Sequence, residues 1–340
     1  MQMRTIINKV LLASLFVSSS LPAAEVVNVY SHRHYEVDAA VNKAFTEKTG
    51  IEVKVVNADT DQLIERLKSE GENSPADLLV TVDSARIQRA RAAGLLQPVK
   101  SDILNGSTPS GLRDADGFWY PFTIRARIVV VSKDRVKEGE LTRYEDLADP
   151  KWRGRVVARS ASSSYNQALV ASIAAHGGAD AANAWTKGVQ QNFARPPQGG
   201  DRDQIKAVAS GLADAAITNS YYLGMLVNSK DPAERDVASK VRVVFPNQAD
   251  RGTHVNVSAA GITKHAKNVD NARKYLEFLV SDEAQKMLAA GSYEHPVFMQ
   301  LDYSPVHKEW GAFKADTSTF LKLGEQLDTA IKAFDAAGWK

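Results

Sequence analysis

The 340-residue chain contains no cysteine, which excludes disulfides, thiolate metal sites and the modified cysteine of a lipoprotein. Long apolar runs are missing too: no stretch reaches the roughly 18–20 residues that a membrane-spanning helix needs. Basic runs of the nucleic-acid-binding kind are also absent. The chain has no P-loop, G-x-G-x-x-G or G-x-S-x-G signature, and no nucleophile, base and orienter can be picked out. Nucleic-acid binding, direct membrane insertion and the common catalytic classes are therefore left without support, and the chain is not expected to be an enzyme.

What remains is an ordinary globular composition, 44% hydrophobic and 24% charged, in a chain long enough for two domains with separate cores. The N-terminus has the layout of an export signal. Arg4 and Lys9 give a positive start, "VLLASLFV" (10–17) a short apolar core, and "LPAA" (21–24) the small residues of a cleavage site after Ala23 or Ala24. Removing 1–24 takes away those two cations and no acid, so the 42 Lys+Arg fall to match the 40 Asp+Glu. The mature protein is expected to be neutral, soluble and periplasmic.

Along the chain the hydrophobic period alternates between two and about 3.6 residues. "EVVNVYS" (25–31), "IEVKVVN" (51–57), "ADLLVTV" (76–82), "GRVVA" (154–158), "ADAAIT" (213–218) and "VRVVF" (241–245) read as strands. Segments 38–50, 60–71, 84–94, 165–177, 203–211 and 271–281 read as helices, three of them closed by Gly50, Gly71 and Gly94. Such alternation predicts an α/β fold with mainly parallel sheets. The long β-forming run "PFTIRARIVVVS" (121–132) is placed to cross between two domains, with "VRVVFPN" (241–247) as the return.

Three tyrosine-bearing segments stand out: "YSHRHYE" (30–36), "SYNQALVASIAAHGG" (164–178) and "TNSYYLG" (218–224). A Tyr-Tyr pair alone is ordinarily packing, because a buried phenol supplies apolar area with one polar tip. Ionising a phenol at pH 7 costs about 4 kcal/mol from its ordinary pKa near 10, so four cost roughly 16 kcal/mol, and only a highly charged cation could supply that. Hard anionic oxygens suit a trivalent ion better than Zn²⁺ or Cu⁺. Adjacent residues of a strand face opposite ways, so Tyr221 and Tyr222 could share an ion only where the chain leaves strand geometry, beyond "ADAAIT".

Those segments resemble the periplasmic ferric-ion-binding proteins, the tyrosine-rich bacterial transferrins. "AFTEKTGIEVKVV" (44–56), "PADLLVTVDSARIQRARAAGLLQPV" (75–99), "YEDLADPKWRGRV" (144–156) and "GITKHAKNVDNARKYLEFLVSDEAQ" (261–285) resemble the wider superfamily of ABC-importer substrate-binding proteins. The likeness runs from about residue 26 to the C-terminus. It implies a type II two-lobed clamshell with two crossing hinge strands. The expected division is lobe 1 at 25–122 and 248–298, and lobe 2 at 123–247 and 299–340.

The resemblance also implies Fe(III) held by Tyr35, Tyr165, Tyr221 and Tyr222, with His34 as a fifth ligand. Arg125 falls where the family has a second-layer arginine, and Arg33 is a weaker candidate; either could offset the single negative charge of Fe³⁺ with four phenolates. A further family arginine is replaced by Met225. The implied partner is an ABC-type iron permease in the inner membrane, served by a monomer that closes around the ion.

Two other readings are open. The same fold could take a small organic or anionic solute in an aromatic box. Alternatively, His32 and His34 form an H-x-H that in another fold would suggest a metallohydrolase. The remaining tyrosines, Tyr30, Tyr120, Tyr144, Tyr275, Tyr293 and Tyr303, are expected to pack, and "DADG" (114–117) lacks the spacing of a calcium loop.

Overall fold

A computed structural model describes residues 25–298 and 301–340, and the export-signal segment 1–24 lies outside the described residues. β1 (Val26–Ser31) leads into α1 (Glu36–Thr49), and the chain turns at Gly50, whose φ of 74° suits a residue without Cβ. β2 (Glu52–Asn57) then pairs parallel to β1, from Val26 opposite Glu52 to Ser31 opposite Asn57. A second unit follows, α2 (Thr60–Glu70) and β3 (Leu78–Thr81), with β3 parallel to β1 on its other side. α3 (Ser84–Ala92) is capped by Asp83, and β4 (Leu96–Gln97) and α4 (Asp102–Ser107) complete the first run.

β5 (Tyr120–Ser132) is thirteen residues long and buried throughout. Beyond it come β6 (Val156–Val157), α5 (Ser164–Gln191), α6 (Asp201–Ala209), β7 (Ala215–Asn219), α7 (Ser220–Val227), α8 (Pro232–Ser239) and β8 (Val241–Val244). The chain then forms β9 (Val255–Thr263), α9 (Val269–Leu279), α10 (Asp282–Ser292) and β10 (His295–Pro296), and ends with α11 (Pro305–Trp310) and α12 (Leu327–Ala337).

The strands run in the order β2-β1-β3-β9-β5-β7-β6. The first half of β5 pairs with β9, and the second half with β7 and β8, so one strand carries the sheet from one half of the molecule to the other. This gives the crossing anticipated for 121–132. The expectation of mainly parallel pairing needs correction: β1, β2, β3 and the β6–β7 pair are parallel, whereas every pairing of β5 and β9 is antiparallel. A strand that changes direction relative to its βαβ neighbours is what a crossing requires.

The return path also differs in detail. β8 stays alongside the second half of β5, and the chain crosses over 245–254 to reach β9. β9 escaped the periodic reading because Ser258, Ala259, Ala260 and Gly261 are small and all buried. Their size is a packing requirement, since a Cβ on Gly261 would stand 2.6 Å from the Phe118 carbonyl oxygen.

α5 outruns the expected 165–177. Gly178, with φ 77° and ψ −178°, breaks the helix, and a second helical run continues to Gln191. Among the described residues the apolar interior forms one core between α1, α9, α10 and the first half of the sheet, another between α5, α12 and the second half, and a third that runs along β5 and β9 and takes in α2, α3, α6 and α7. In the α5–α12 core, Trp339 packs against Trp185, Phe193 and Phe334, which anchors the C-terminus.

Candidate metal centre

The four expected tyrosines lie at three helix N-termini. Tyr35 is the N-cap of α1, in extended conformation at ψ 147°, immediately after β1. Tyr165 is the second residue of α5, and Tyr221 and Tyr222 are the second and third of α7, which starts directly from the end of β7. The pair leaves strand geometry as anticipated, but into a helical first turn rather than a loop. Helix N-termini carry partial positive charge and unpaired N–H groups, an environment that favours anionic oxygen.

The structure brings the rings together. The Tyr165 and Tyr221 hydroxyls are 3.4 Å apart. The Tyr221 ring centroid lies 4.2 Å from that of Tyr222 and 6.4 Å from that of Tyr35, edge to face with the latter. His34, Tyr35, Arg125 and Tyr165 line a cavity of about 150 Å³ together with His32, Arg33, Asp83, Arg86 and Ser164. That is below the roughly 300 Å³ at which organic-ligand pockets begin. A groove of about 500 Å³ adjoins it between α3 and α5, and another of about 340 Å³ lies behind α1, but neither is where the phenols meet.

Burial pushes the phenol pKa of Tyr35 up, and Glu294 adds to the effect. Tyr221 is raised well above the ordinary phenol value by burial and by the neighbouring Tyr35, Tyr165 and Tyr222, and Tyr222 is raised by burial and Tyr165. Three phenols so placed are protonated at neutral pH unless a cation replaces their protons.

His34 is exposed beside Tyr35, its ring stacked at 6.2 Å. Its Nδ1 meets the His32 carbonyl oxygen at 3.0 Å. A carbonyl accepts only, so Nδ1 carries the proton and Nε2 presents a free lone pair, the arrangement typical of a metal-binding imidazole. His32 does not join it: its Nδ1 is engaged 2.7 Å from Thr60 Oγ1. Among the described residues no group of three or more His, Asp or Glu side chains is arranged to hold a metal ion. His32 Nε2 lies 3.9 Å from Asp59, so the two imidazoles of the H-x-H face different partners.

Arg33 and Arg125 lie behind Tyr35, both buried. The Arg33 guanidinium stands 4.6 Å from the Tyr35 ring centroid and donates to Glu294 at 2.5 Å and Asp38 at 3.0 Å. Asp38 also accepts the Tyr35 N–H at 3.1 Å, so one carboxylate ties Arg33, Tyr35 and the start of α1 together. Arg125 donates to the Val257 carbonyl at 2.9 Å and lies 3.5 Å from Glu294. Burial works against ionising Glu294, but Arg33 and Arg125 hold its pKa below the usual carboxylate range.

Sequence reasoning missed Glu294, Arg127, Arg159 and Asp201. Arg127 was within reach, since residues two apart on β5 share a face with Arg125. It donates to Asp201, Asn219 and Asn166 behind Tyr165. Glu294 offered no signal, being 261 positions from Arg33. The six other tyrosines pack or bond elsewhere, for example Tyr144 to the Arg127 carbonyl and Tyr120 to that of Val99.

Tyr293, at φ 59° after α10, abuts Gly224 on the pair-bearing helix α7. A Cβ on Gly224 would stand 2.6 Å from the Tyr293 Cβ. Helix propensity favours alanine by about 1 kcal/mol, but overpacking costs about 1–3 kcal/mol. Gly224→Ala is therefore expected to lower the thermal unfolding midpoint of the iron-free protein by a few degrees; an unchanged or raised midpoint would show that the seam yields.

Residues 73–315 match the bacterial extracellular solute-binding protein family. The chain is 48% identical to iron uptake protein A1 of Synechocystis, over 98% of this chain and 95% of that one. It is 32% identical to the major ferric iron-binding protein of Neisseria meningitidis serogroup B, over 87% of each. Among solved structures, a Trichodesmium protein named IdiA or FutA, in complex with iron and citrate ligands, superposes with a TM-score of 0.88. That likeness is at 47% identity and covers 93% of this chain and all of the other.

Proposed function

The chain belongs to the bacterial extracellular solute-binding protein family, and on that premise we propose that it is a periplasmic carrier that captures Fe(III) between two lobes and delivers it to an ABC-type permease. The convergence of Tyr35, Tyr165, Tyr221 and Tyr222 at three helix N-termini carries this reading. The relatives' names, iron uptake protein and ferric iron-binding protein, support the choice of cargo.

The ligands are the four phenolates, with His34 through Nε2 as the fifth. Lobe 1 is assigned to 25–122 and 248–298, and lobe 2 to 123–247 and 299–340. The change of sheet partners along β5 supports a crossing in this strand, with the change itself four residues on, between Ala126 and Arg127, and the packing of α12 on α5 supports grouping the C-terminal helix with the second lobe. Tyr35 and His34 belong to the first lobe and the other three tyrosines to the second, so the ion bridges the cleft and draws it shut. The ion exchanges its ligands on binding and leaves chemically unchanged, so in this reading the protein is a carrier, not an enzyme, and acts as a monomer.

The close approach of the phenols, with the Tyr165 and Tyr221 hydroxyls 3.4 Å apart, favours an ion over the organic-solute reading. Incubating metal-stripped protein with an equimolar panel of Fe³⁺, Zn²⁺, Mn²⁺ and Cu²⁺, then counting retained metal, tests the choice. One iron per chain is expected, and preferential retention of zinc or copper would contradict it. His34→Ala should keep the tyrosinate colour yet bind iron at least about ten- to hundredfold more weakly by citrate competition, the loss typical even of residues that only support a metal's ligands. Unchanged affinity would remove His34 from the ligand set.

A further inference from the structure

The fixed charges behind the phenols do not balance equally on the two sides of the cleft. On the Tyr35 side, the guanidiniums of Arg33 and Arg125 face the carboxylates of Asp38 and Glu294. Two positive charges meet two negative ones, and Arg86, which also lines the cavity, is paired with Asp83 at 2.5 Å. On the Tyr165 side, Arg127 and Arg159 share the single carboxylate of Asp201, one on each oxygen, at 2.5 and 2.7 Å. Among the described residues no other carboxylate stands within ion-pair distance of either arginine, and the remaining acceptors of Arg127 are the amides of Asn219 and Asn166. One positive charge is left over.

A ferric ion with four phenolates carries one negative charge. We infer that Arg159, left in surplus beside Tyr165, is the residue that neutralises the loaded site. The resemblance pointed to Arg125 for this role; its guanidinium lies 3.5 Å from Glu294, a carboxylate it shares with Arg33, so within the first-side group its charge is counted against that carboxylate.

The choice between the two second-lobe arginines follows from burial. A surplus charge must exist without its partner whenever the cleft holds no iron, and an unpaired charge is tolerable only in contact with water. The Arg127 side chain is 2% exposed and that of Arg159 is 27% exposed. Arg159 is also well aimed. Its guanidinium lies 5.4 Å from the Tyr165 ring centroid, and its field favours the ionised form of Tyr222. Its backbone carbonyl is fixed by the Trp339 indole N–H and the Asn166 amide, each at 2.9 Å, so the C-terminal core holds it in register.

This inference rests on the tyrosinate reading of the site, and its test separates the two. Wild type, Arg159→Gln and Arg159→Lys are loaded with ferric citrate, and three quantities are read: the charge-transfer band, the ferric affinity by citrate competition, and the reduction midpoint of the bound iron. Arg159→Gln should still colour at one iron per chain. It should bind about tenfold more weakly, the order contributed by one nearby charge at an effective permittivity of about 20. Its iron should be harder to reduce, because reduction adds a negative charge that no cation offsets. Arg159→Lys should recover most of both changes.

A coloured Arg159→Gln protein with wild-type affinity and midpoint would overturn the assignment while leaving the tyrosinates standing. Equal impairment of the Gln and Lys variants, with no shift in midpoint, would make Arg159 a packing residue and overturn it too. Absence of colour in the wild type would remove the tyrosinate reading and this inference together.

Discussion

Tyr221→Phe/Tyr222→Phe should lose visible colour on addition of ferric citrate and bind Fe(III) about 10⁴-fold or more weakly than wild type. Even residues that only support a metal's ligands cost ten- to hundredfold when removed, and here two anionic donors disappear at once. The fold should survive. Tyr221 is buried, but the double replacement removes only hydroxyls, and that of Tyr221 contacts the hydroxyls of Tyr165, at 3.4 Å, and Tyr222. In the iron-free state the change even relieves a buried polar group, so thermal unfolding of the empty variant should match or exceed wild type. A variant that stays coloured, with affinity within tenfold of wild type, would show that the pair only packs.

Acidification should release the iron steeply. Tyr35, Tyr221 and Tyr222 all have pKa values raised above the ordinary phenol value, chiefly by burial. At neutral pH and below, the empty site holds their protons, and with the proposed ligand set the loaded site would not. Each ion bound should therefore displace at least these three protons, and the sign follows: affinity rises with pH and falls as pH falls. The apparent affinity should drop about 10³-fold or more per unit of acidification across the range below the phenol pKa values. Competition titrations against a chelator whose own protonation is corrected for, at pH 8, 7 and 6, give the slope. A slope near zero would mean that the phenols stay protonated and that the ion is held by other atoms.

The fold was legible where one face of an element is buried and the other wet. β1, α1, β2 and α2 fell within about two residues of the positions their periodicity predicts. β9 was not legible, because a strand buried on both sides and built from Ser, Ala and Gly carries no alternation to read. The tyrosines were found through their neighbouring segments, not through the phenols themselves. Tyr144, equally buried, bonds a carbonyl and has nothing to do with the cleft.

The charge balance behind the site was illegible for a different reason. Glu294 reaches Arg33, and Asp201 joins Arg127 to Arg159, only because β5, β10 and α6 are folded against one another. Composition could count these charges but could not pair them. Taking Arg125 as the counter-charge from its place in the resembled family could not take account of Glu294, a carboxylate distant in sequence that lies 3.5 Å from it. The pairing of buried ions is a property of tertiary structure, and here it decides which arginine is left in surplus.

The most direct test of the account is a titration of metal-stripped protein, from residue 25 onward, with ferric citrate near pH 7, watched in the visible range. The account predicts a tyrosinate-to-iron charge-transfer band that grows linearly and saturates at one iron per chain. Iron bound with no such band, or no iron bound at all, would contradict it.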